Sequence, residues 1–169
     1  MHATALTDME ELLNAAPAWC KTVLDVGSYD VNGTHRPLCE GRGLIYTGLD
    51  IIPGPNVDVV TEQPYHYSFP DNAFDLVISG QVMEHIEDLR AWIDECVRVL
   101  KPSGRLCIVT VWKYGYHPYP ADYWRIMPDG MRWLFEQNGN LTDYDIRMTS
   151  EDAVGGNIVG AATKKEVST

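Results

Sequence analysis

The sequence predicts an α/β fold: a Rossmann-like, doubly wound sheet, mostly parallel, with one antiparallel strand in its edge region. Three observations predict it. Short apolar runs of strand type alternate with helical stretches, the pattern of a parallel sheet covered on both faces. Two early runs, V23-L-D-V-G-S28 and Y46-T-G-L-D-I51, carry acids at their ends, and the first leads into a glycine turn. The tail holds a hairpin-like pair of strands, which brings in the antiparallel member.

The elements follow in order. Thr7 and Glu10 form a capping-box pattern, and Met9, Leu12, Leu13 and Ala16 make a helical stripe before Pro17. The first strand is expected over Thr22–Val26. A short helix follows Gly33, with Pro37 tolerated in its first turn. Further strands are expected over Leu44–Asp50, Val57–Thr61 and Phe74–Ser79. An amphipathic helix runs from Leu89 to Leu100, where Leu89, Trp92, Ile93, Cys96, Val97 and Leu100 share a face. Lys101-Pro102-Ser103-Gly104 stops it, and a fifth strand covers Arg105–Val111. Pro128 opens the last helix, which closes near Gly139. Tyr144–Met148 and Asn157–Ala162 are the final strands.

Composition narrows the function. The chain has 169 residues, 45% of them apolar, and reads as a single domain over 1–169, with 1–21 as N-terminal helix and lead-in. Its net charge of −11 speaks against nucleic acid and against an acidic membrane surface as partners. No secretory signal or membrane span is visible, so a cytoplasmic location is expected. Cys20, Cys39, Cys96 and Cys107 show neither C-x-x-C nor zinc spacing. They read as reduced packing cysteines, and no metal is expected.

Asp50 lies 23 residues after Gly27. That matches the spacing, roughly 20 residues, at which an acid ending the second strand meets the ribose of a nucleotide over the first βα turn. The turn itself, G27-S-Y-D-V-N-G33, is neither G-x-G-x-x-G nor a P-loop, since Tyr29 occupies the place of the second glycine. A pyrophosphate then lacks its close approach to the backbone. An adenosine cofactor without phosphate fits better, and S-adenosylmethionine is the obvious one. Asp50 would take its ribose hydroxyls and Asp25 its ammonium, while backbone N–H groups of the turn hold its carboxylate. Strand-end solvation is the competing reading of both acids.

These segments, with F69-P-D-N-A-F-D-L-V-I-S79, V82-M-E-H-I86 and R98-V-L-K-P-S-G-R105, resemble class I S-adenosylmethionine-dependent methyltransferases, in particular the compact small-molecule branch. The resemblance implies a seven-stranded sheet in the order 3-2-1-4-5-7-6, the seventh strand antiparallel, in a complete minimal domain. It also implies cofactor contacts at Asp25, Gly27, Ser28, Asp50, Ile51, Ser79, Gly80 and Gln81. Glu62 and Gln63 would lie near the adenine edge. Tyr29 departs from the family's glycine and either folds over the cofactor or packs outward.

Methyl transfer to a hydroxyl or ammonium also requires that the acceptor lose a proton, a task suited to histidine near neutral pH. His85, after the fourth strand, and His117, after the fifth, are the candidate catalytic residues. Each is weighed against a structural or exposed-loop role. The stretch from Trp112 to Arg125 is dense in aromatic residues and suits a small-molecule acceptor. Tyr116, Tyr119, Asp122 and Arg125 are its candidate binding residues. Asp122 could instead orient His117, and Arg125 could pair with Asp122. A second subunit of a homodimer could supply a lid. Two alternatives stand beside methyl transfer to oxygen or nitrogen: non-methyl use of the cofactor in cyclisation or elimination, and a non-catalytic binding protein.

Overall fold

The computed structural model of the protein describes residues 3–151 and 155–166. Seven strands among them form one sheet: β1 (Thr22–Val26), β2 (Ile45–Asp50), β3 (Val59–Val60), β4 (Phe74–Gly80), β5 (Leu100–Lys113), β6 (Leu141–Glu151) and β7 (Gly156–Lys164). Their order is β3-β2-β1-β4-β5-β7-β6. The first five pair in parallel, and β7 runs antiparallel to both β5 and β6. This is the predicted topology. The helices are α1 (Ala3–Asn14), α2 (Arg36–Glu40), α3 (Leu89–Val99) and α4 (Pro128–Asn138).

Strand parity builds the two faces. Alternate residues of a strand point to opposite sides. Val23, Leu76, Ile78, Cys107 and Val109 therefore pack with Met9 and Leu12 of α1. Leu24, Val26, Val77, Leu106 and Ile108 pack on the other side with Trp92, Ile93 and Phe135 of α3 and α4. Each fully buried large side chain contributes roughly 1.5–3 kcal/mol. All four cysteines are free and buried. Burial pushes the thiol of Cys20 up to about 11 and those of Cys39, Cys96 and Cys107 up to about 12, as packing residues require.

Several boundaries differ from expectation for identifiable reasons. Helix α1 already begins at Ala3, so Thr7 lies in its second turn and forms no capping box. The neighbouring Asp8 is buried and accepts hydrogen bonds from Thr149 Oγ1 and Asn157 Nδ2, both at 2.8 Å, tying α1 to β6 and β7. Helix α3 starts as predicted, capped by Asp88, whose Oδ1 accepts the N–H groups of Arg90 and Ala91. It ends at Val99, and β5 begins at once. The Lys-Pro-Ser-Gly segment bulges from that strand between the Phe74–Leu100 and Leu76–Arg105 pairs. Lys164 reaches in from β7, and its Nζ donates to the carbonyls of Val97 and Leu100 at 2.7 and 2.6 Å, closing the end of α3. Helix α4 runs from Pro128 to a left-handed Gly139 cap, φ +75°, as read from the sequence.

One buried carboxylate fastens the amino-terminal edge of the sheet. Asp75 accepts the N–H groups of Lys21 and Thr22 and the Thr22 hydroxyl, and its other oxygen pairs with Lys101 Nζ at 2.8 Å. Burial opposes its charge, but the Lys101 ammonium and these donors prevail and hold its carboxyl down to about 2.

Candidate active site

A cavity of about 730 Å³ opens at the carboxyl ends of the parallel strands, where a doubly wound sheet binds its ligands. Gly27, Tyr29, Asp50, Gly80, His85 and His117 all line it. A second hollow, of about 850 Å³, lies over α3 and α4 against Trp124, Met127 and Trp133, and includes neither Asp50 nor the histidines.

The wall from β1 and β2 is a closed hydrogen-bonded unit. Gly27 turns at φ +80°, and a Cβ there would lie 2.2 Å from Val82 Cγ2. No side chain fits, and the left-handed backbone also favours glycine. The N–H groups of Gly27 and Ser28 both donate to Leu49 O, that of Tyr29 to Asp50 Oδ2, and that of Asp30 to Pro55 O. The turn's first four amides are thus spent on β2 and its following loop. They are not the free donors for a carboxylate that the sequence suggested. Asp50 is fixed in return: Oδ2 accepts from Tyr29, and Oδ1 accepts from Ile51 and Ile52 at 2.7 and 3.3 Å. Tyr29 lays its ring against Gly54, so close that a Cβ on Gly54 would meet the ring at 2.0 Å. Ile51, Gly80 and Gln81 also line the cavity, Gln81 in a left-handed conformation at φ +56°.

Three of the expected contact residues are placed elsewhere. Asp25 has the opposite strand parity from Val26, which lines the cavity. Its side chain is buried on the α1 side, where Oδ2 accepts from Tyr46 Oη at 2.6 Å and meets His35 Nδ1 at 3.1 Å. Ser28 donates to Asn56 O, and Ser79 donates to Val26 O at 2.7 Å; both are buried. In the loop after β3, Thr61 and Pro64 line the cavity, while Glu62 and Gln63 are exposed beside it.

The opposite wall is built from a 3₁₀ turn, Met83–His85, and the loop after β5. The turn drives Glu84 inward, fully buried, where Oε2 accepts the Thr110 hydroxyl at 2.8 Å. Its Oε1 has no hydrogen-bond partner. It lies 3.8 Å from Nε2 of His117 and 4.0 Å from Nε2 of His85. The Glu84 carbonyl accepts Tyr123 N–H at 2.8 Å, docking the loop. Asp122 accepts the backbone N–H of His117 at 2.9 Å and pairs with both terminal nitrogens of Arg125. The Arg125 guanidinium holds the Asp122 carboxyl well below the usual range. Glu84, then the Gly115 carbonyl and Asp122, raise the His117 imidazole above its ordinary value against the effect of burial.

The predicted histidines thus meet, their ring centres 5.0 Å apart. Of the predicted acceptor residues, Tyr119 lines the cavity, while Tyr116 is 81% exposed and lies outside it. Asp122 and Arg125 brace the loop as a pair. The Glu-His pair after β4 placed Glu84 near the site, but sequence reasoning assigned it no role of its own. The signal for it was the Glu-His pair opening a turn that faces Thr110 on β5.

The sheet order and the place of the cavity are those of class I S-adenosylmethionine-dependent methyltransferases. The chain belongs to the family described as "Methyltransferase domain", whose model matches residues 24–108. It is 30% identical over 128 residues to 2-methyl-6-phytyl-1,4-hydroquinone methyltransferase of Synechocystis, covering 69% of this chain and 39% of that protein. It is 26% identical over 112 residues to phosphoethanolamine N-methyltransferase 2 of Caenorhabditis elegans, covering 57% of this chain and 25% of the relative. The chain therefore spans well under half the length of these curated relatives. Among solved structures, a SAM-dependent methyltransferase of Archaeoglobus fulgidus superposes with a TM-score of 0.72 at 18% identity, covering 94% of this chain and 93% of the other. The 1,6-didemethyltoxoflavin-N1-methyltransferase of Burkholderia thailandensis, solved with bound 1,6-didemethyltoxoflavin and S-adenosylhomocysteine, gives 0.77 at 17% identity, covering 96% and 79%. No helix among the described residues is long and apolar enough to cross a membrane.

Proposed function

We propose that the protein transfers a methyl group from S-adenosylmethionine to an oxygen or nitrogen of a small molecule carrying a flat ring. The observation that carries this reading is one cavity joining Asp50 and the Gly27 turn at one end to the paired histidines at the other. When bound, the cofactor supplies an electrophilic sulfonium methyl group, and the protein has mainly to align the acceptor with it.

The residues fit that cofactor. Asp50 uses three acceptor positions on backbone N–H groups, which leaves about one of its four lone-pair sites for a ribose hydroxyl. Ile51, Ile52 and Pro64 offer an apolar slot for a base. Gly27, Tyr29, Gly80 and Gln81 face the cofactor. Asp25, Ser28 and Ser79 act from behind as positioning residues that stiffen the wall. On the acceptor side, Tyr114 and Tyr119 supply aromatic surface. The acceptor's proton leaves to the centre formed by Glu84, His85 and His117. A positioned base of this kind contributes typically about 10²–10⁴-fold. The ring-bearing substrates in the names of the Synechocystis relative and the Burkholderia neighbour support the choice of acceptor.

Titration calorimetry with S-adenosylmethionine is expected to show one site, and turnover with hydroxylated or amino-substituted ring compounds to release S-adenosylhomocysteine. Release of methylthioadenosine would mean aminobutyryl chemistry instead. No heat of binding at about 1 mM cofactor, the weak end of specific binding, would overturn the reading.

A further inference from the structure

We infer that Glu84, His85 and His117 form a binding site for a divalent transition metal, with zinc the best fit, at the acceptor end of the cavity. The inference deepens the methyltransferase reading and rests on it for the site's role, though not for metal binding itself. It begins with hydrogen-bond direction. Nδ1 of His85 lies 2.5 Å from the carbonyl oxygen of Ala121, and Nδ1 of His117 lies 2.9 Å from that of Gly115. A carbonyl has no proton to give, so each Nδ1 is the donor. In a neutral ring that leaves the lone pair on Nε2. Both Nε2 atoms face Oε1 of Glu84, at 4.0 and 3.8 Å. That oxygen is fully buried and has no hydrogen-bond partner.

Two imidazole lone pairs and an unpartnered carboxylate oxygen thus converge, all within 4.8 Å of one another. Acceptors facing acceptors repel unless a proton or a metal cation stands between them. The surrounding contacts are those of a metal site. Each ligating ring donates its other N–H to a carbonyl, and the carboxylate's second oxygen is held by Thr110. Two nitrogens and one oxygen suit a tetrahedral ion with an open fourth position. Metal–ligand bonds of about 2.0–2.1 Å require ligand atoms roughly 3.3–3.4 Å apart, so the three side chains close by small rotations. His85 and His117 line the cavity, so the open position faces the acceptor. With the ion in place the three side chains would act as its ligands rather than as the base, and a hydroxyl bound there would give up its proton to water more readily than a free one. The site would therefore favour an acceptor bearing a hydroxyl group. The buried cysteines, with their thiols pushed up by desolvation, do not compete for the ion.

The full chain, stripped with chelator and titrated with zinc chloride, is expected to take up one equivalent. In Glu84→Gln and His117→Ala, affinity should fall by more than about tenfold, at least the loss produced by removing an outer-shell partner. The unaltered chain also serves if those variants misfold: zinc should shift the ring-proton signals of two of its five histidines, and cobalt chloride should give the visible bands of four-coordinate Co(II). Uptake below about one-tenth equivalent, or equal affinity in wild type and both folded variants, would overturn the inference and leave a shared proton between His117 and Glu84. Zinc uptake without S-adenosylmethionine binding would keep the metal and remove the cofactor reading. Cofactor binding without zinc uptake would do the reverse.

Discussion

The two walls of the cavity are built on different principles. The wall of β1 and β2 is closed on itself: the first four amides of its turn have partners, and Asp50 is held by three of its neighbours' N–H groups. The wall of the 3₁₀ turn and the loop after β5 is open. Its outer residues, Asp122 and Arg125, satisfy one another, yet at its centre three acceptor atoms face each other across about 4 Å of space. The first wall is finished before a ligand arrives, as a site for an invariant cofactor can be. The second is completed only by a proton, a cation or an acceptor, and it is where chemistry is concentrated.

The sharpest way to break this contrast is His117→Ala. It should lower kcat by about 10²–10⁴-fold while leaving the dissociation constant of S-adenosylmethionine within about twofold, a change worth less than 0.5 kcal/mol. Equal damage to both constants would mean that the walls do not act separately. Asp50→Ala addresses the other wall. It should weaken cofactor binding by about 1.5–3 kcal/mol, read by calorimetry, and an unchanged constant would remove the ribose role.

A third variant separates both walls from the frame. Because Asp75 is held down to about 2 against an ordinary 3.8, its contribution is complete above about pH 4 and is lost as pH falls through 2. Asp75→Asn should cost up to about 2 kcal/mol at pH 7. The difference in urea midpoint from wild type should close between pH 4 and pH 2, without a change in cofactor affinity at neutral pH. The smallest effect belongs to Tyr116→Ala. This residue is exposed outside the cavity, so stability should move by less than about 0.5 kcal/mol and turnover should stay near wild type. A large loss of turnover would bring Tyr116 back to the acceptor.

The same contrast explains what could be read in advance. Gly27 and Asp50 were legible because their roles depend on short spacing within one β-α-β unit, and the period of a strand ending in a glycine turn is written locally. The side of the sheet on which Asp25 falls is also written there, in its alternation with Val26, because strand parity and not spacing decides it. Glu84 was legible as a neighbour of the site through its pair with His85, but its inward-facing carboxylate was not. Its burial depends on Thr110, 26 residues away, and on a loop whose anchor is Glu84's own carbonyl. Tyr116 and Tyr119 are indistinguishable as aromatic residues of one loop, and only the path of that loop sends one outward and the other into the cavity.

The chain's own order of apolar runs, helices and punctuating glycines and prolines determined the layered sheet, its strand order through the family resemblance, and the place of the cofactor turn. These are properties of periodicity and short spacing, which act on neighbours along the chain. The tertiary structure alone decided that Glu84, His85 and His117 converge with their acceptor atoms inward, and that Asp122 and Arg125 spend their charge on each other. Such convergence depends on the packing of β4 against β5 and on the path of the loop between β5 and α4, and no local pattern encodes the direction in which a lone pair will point.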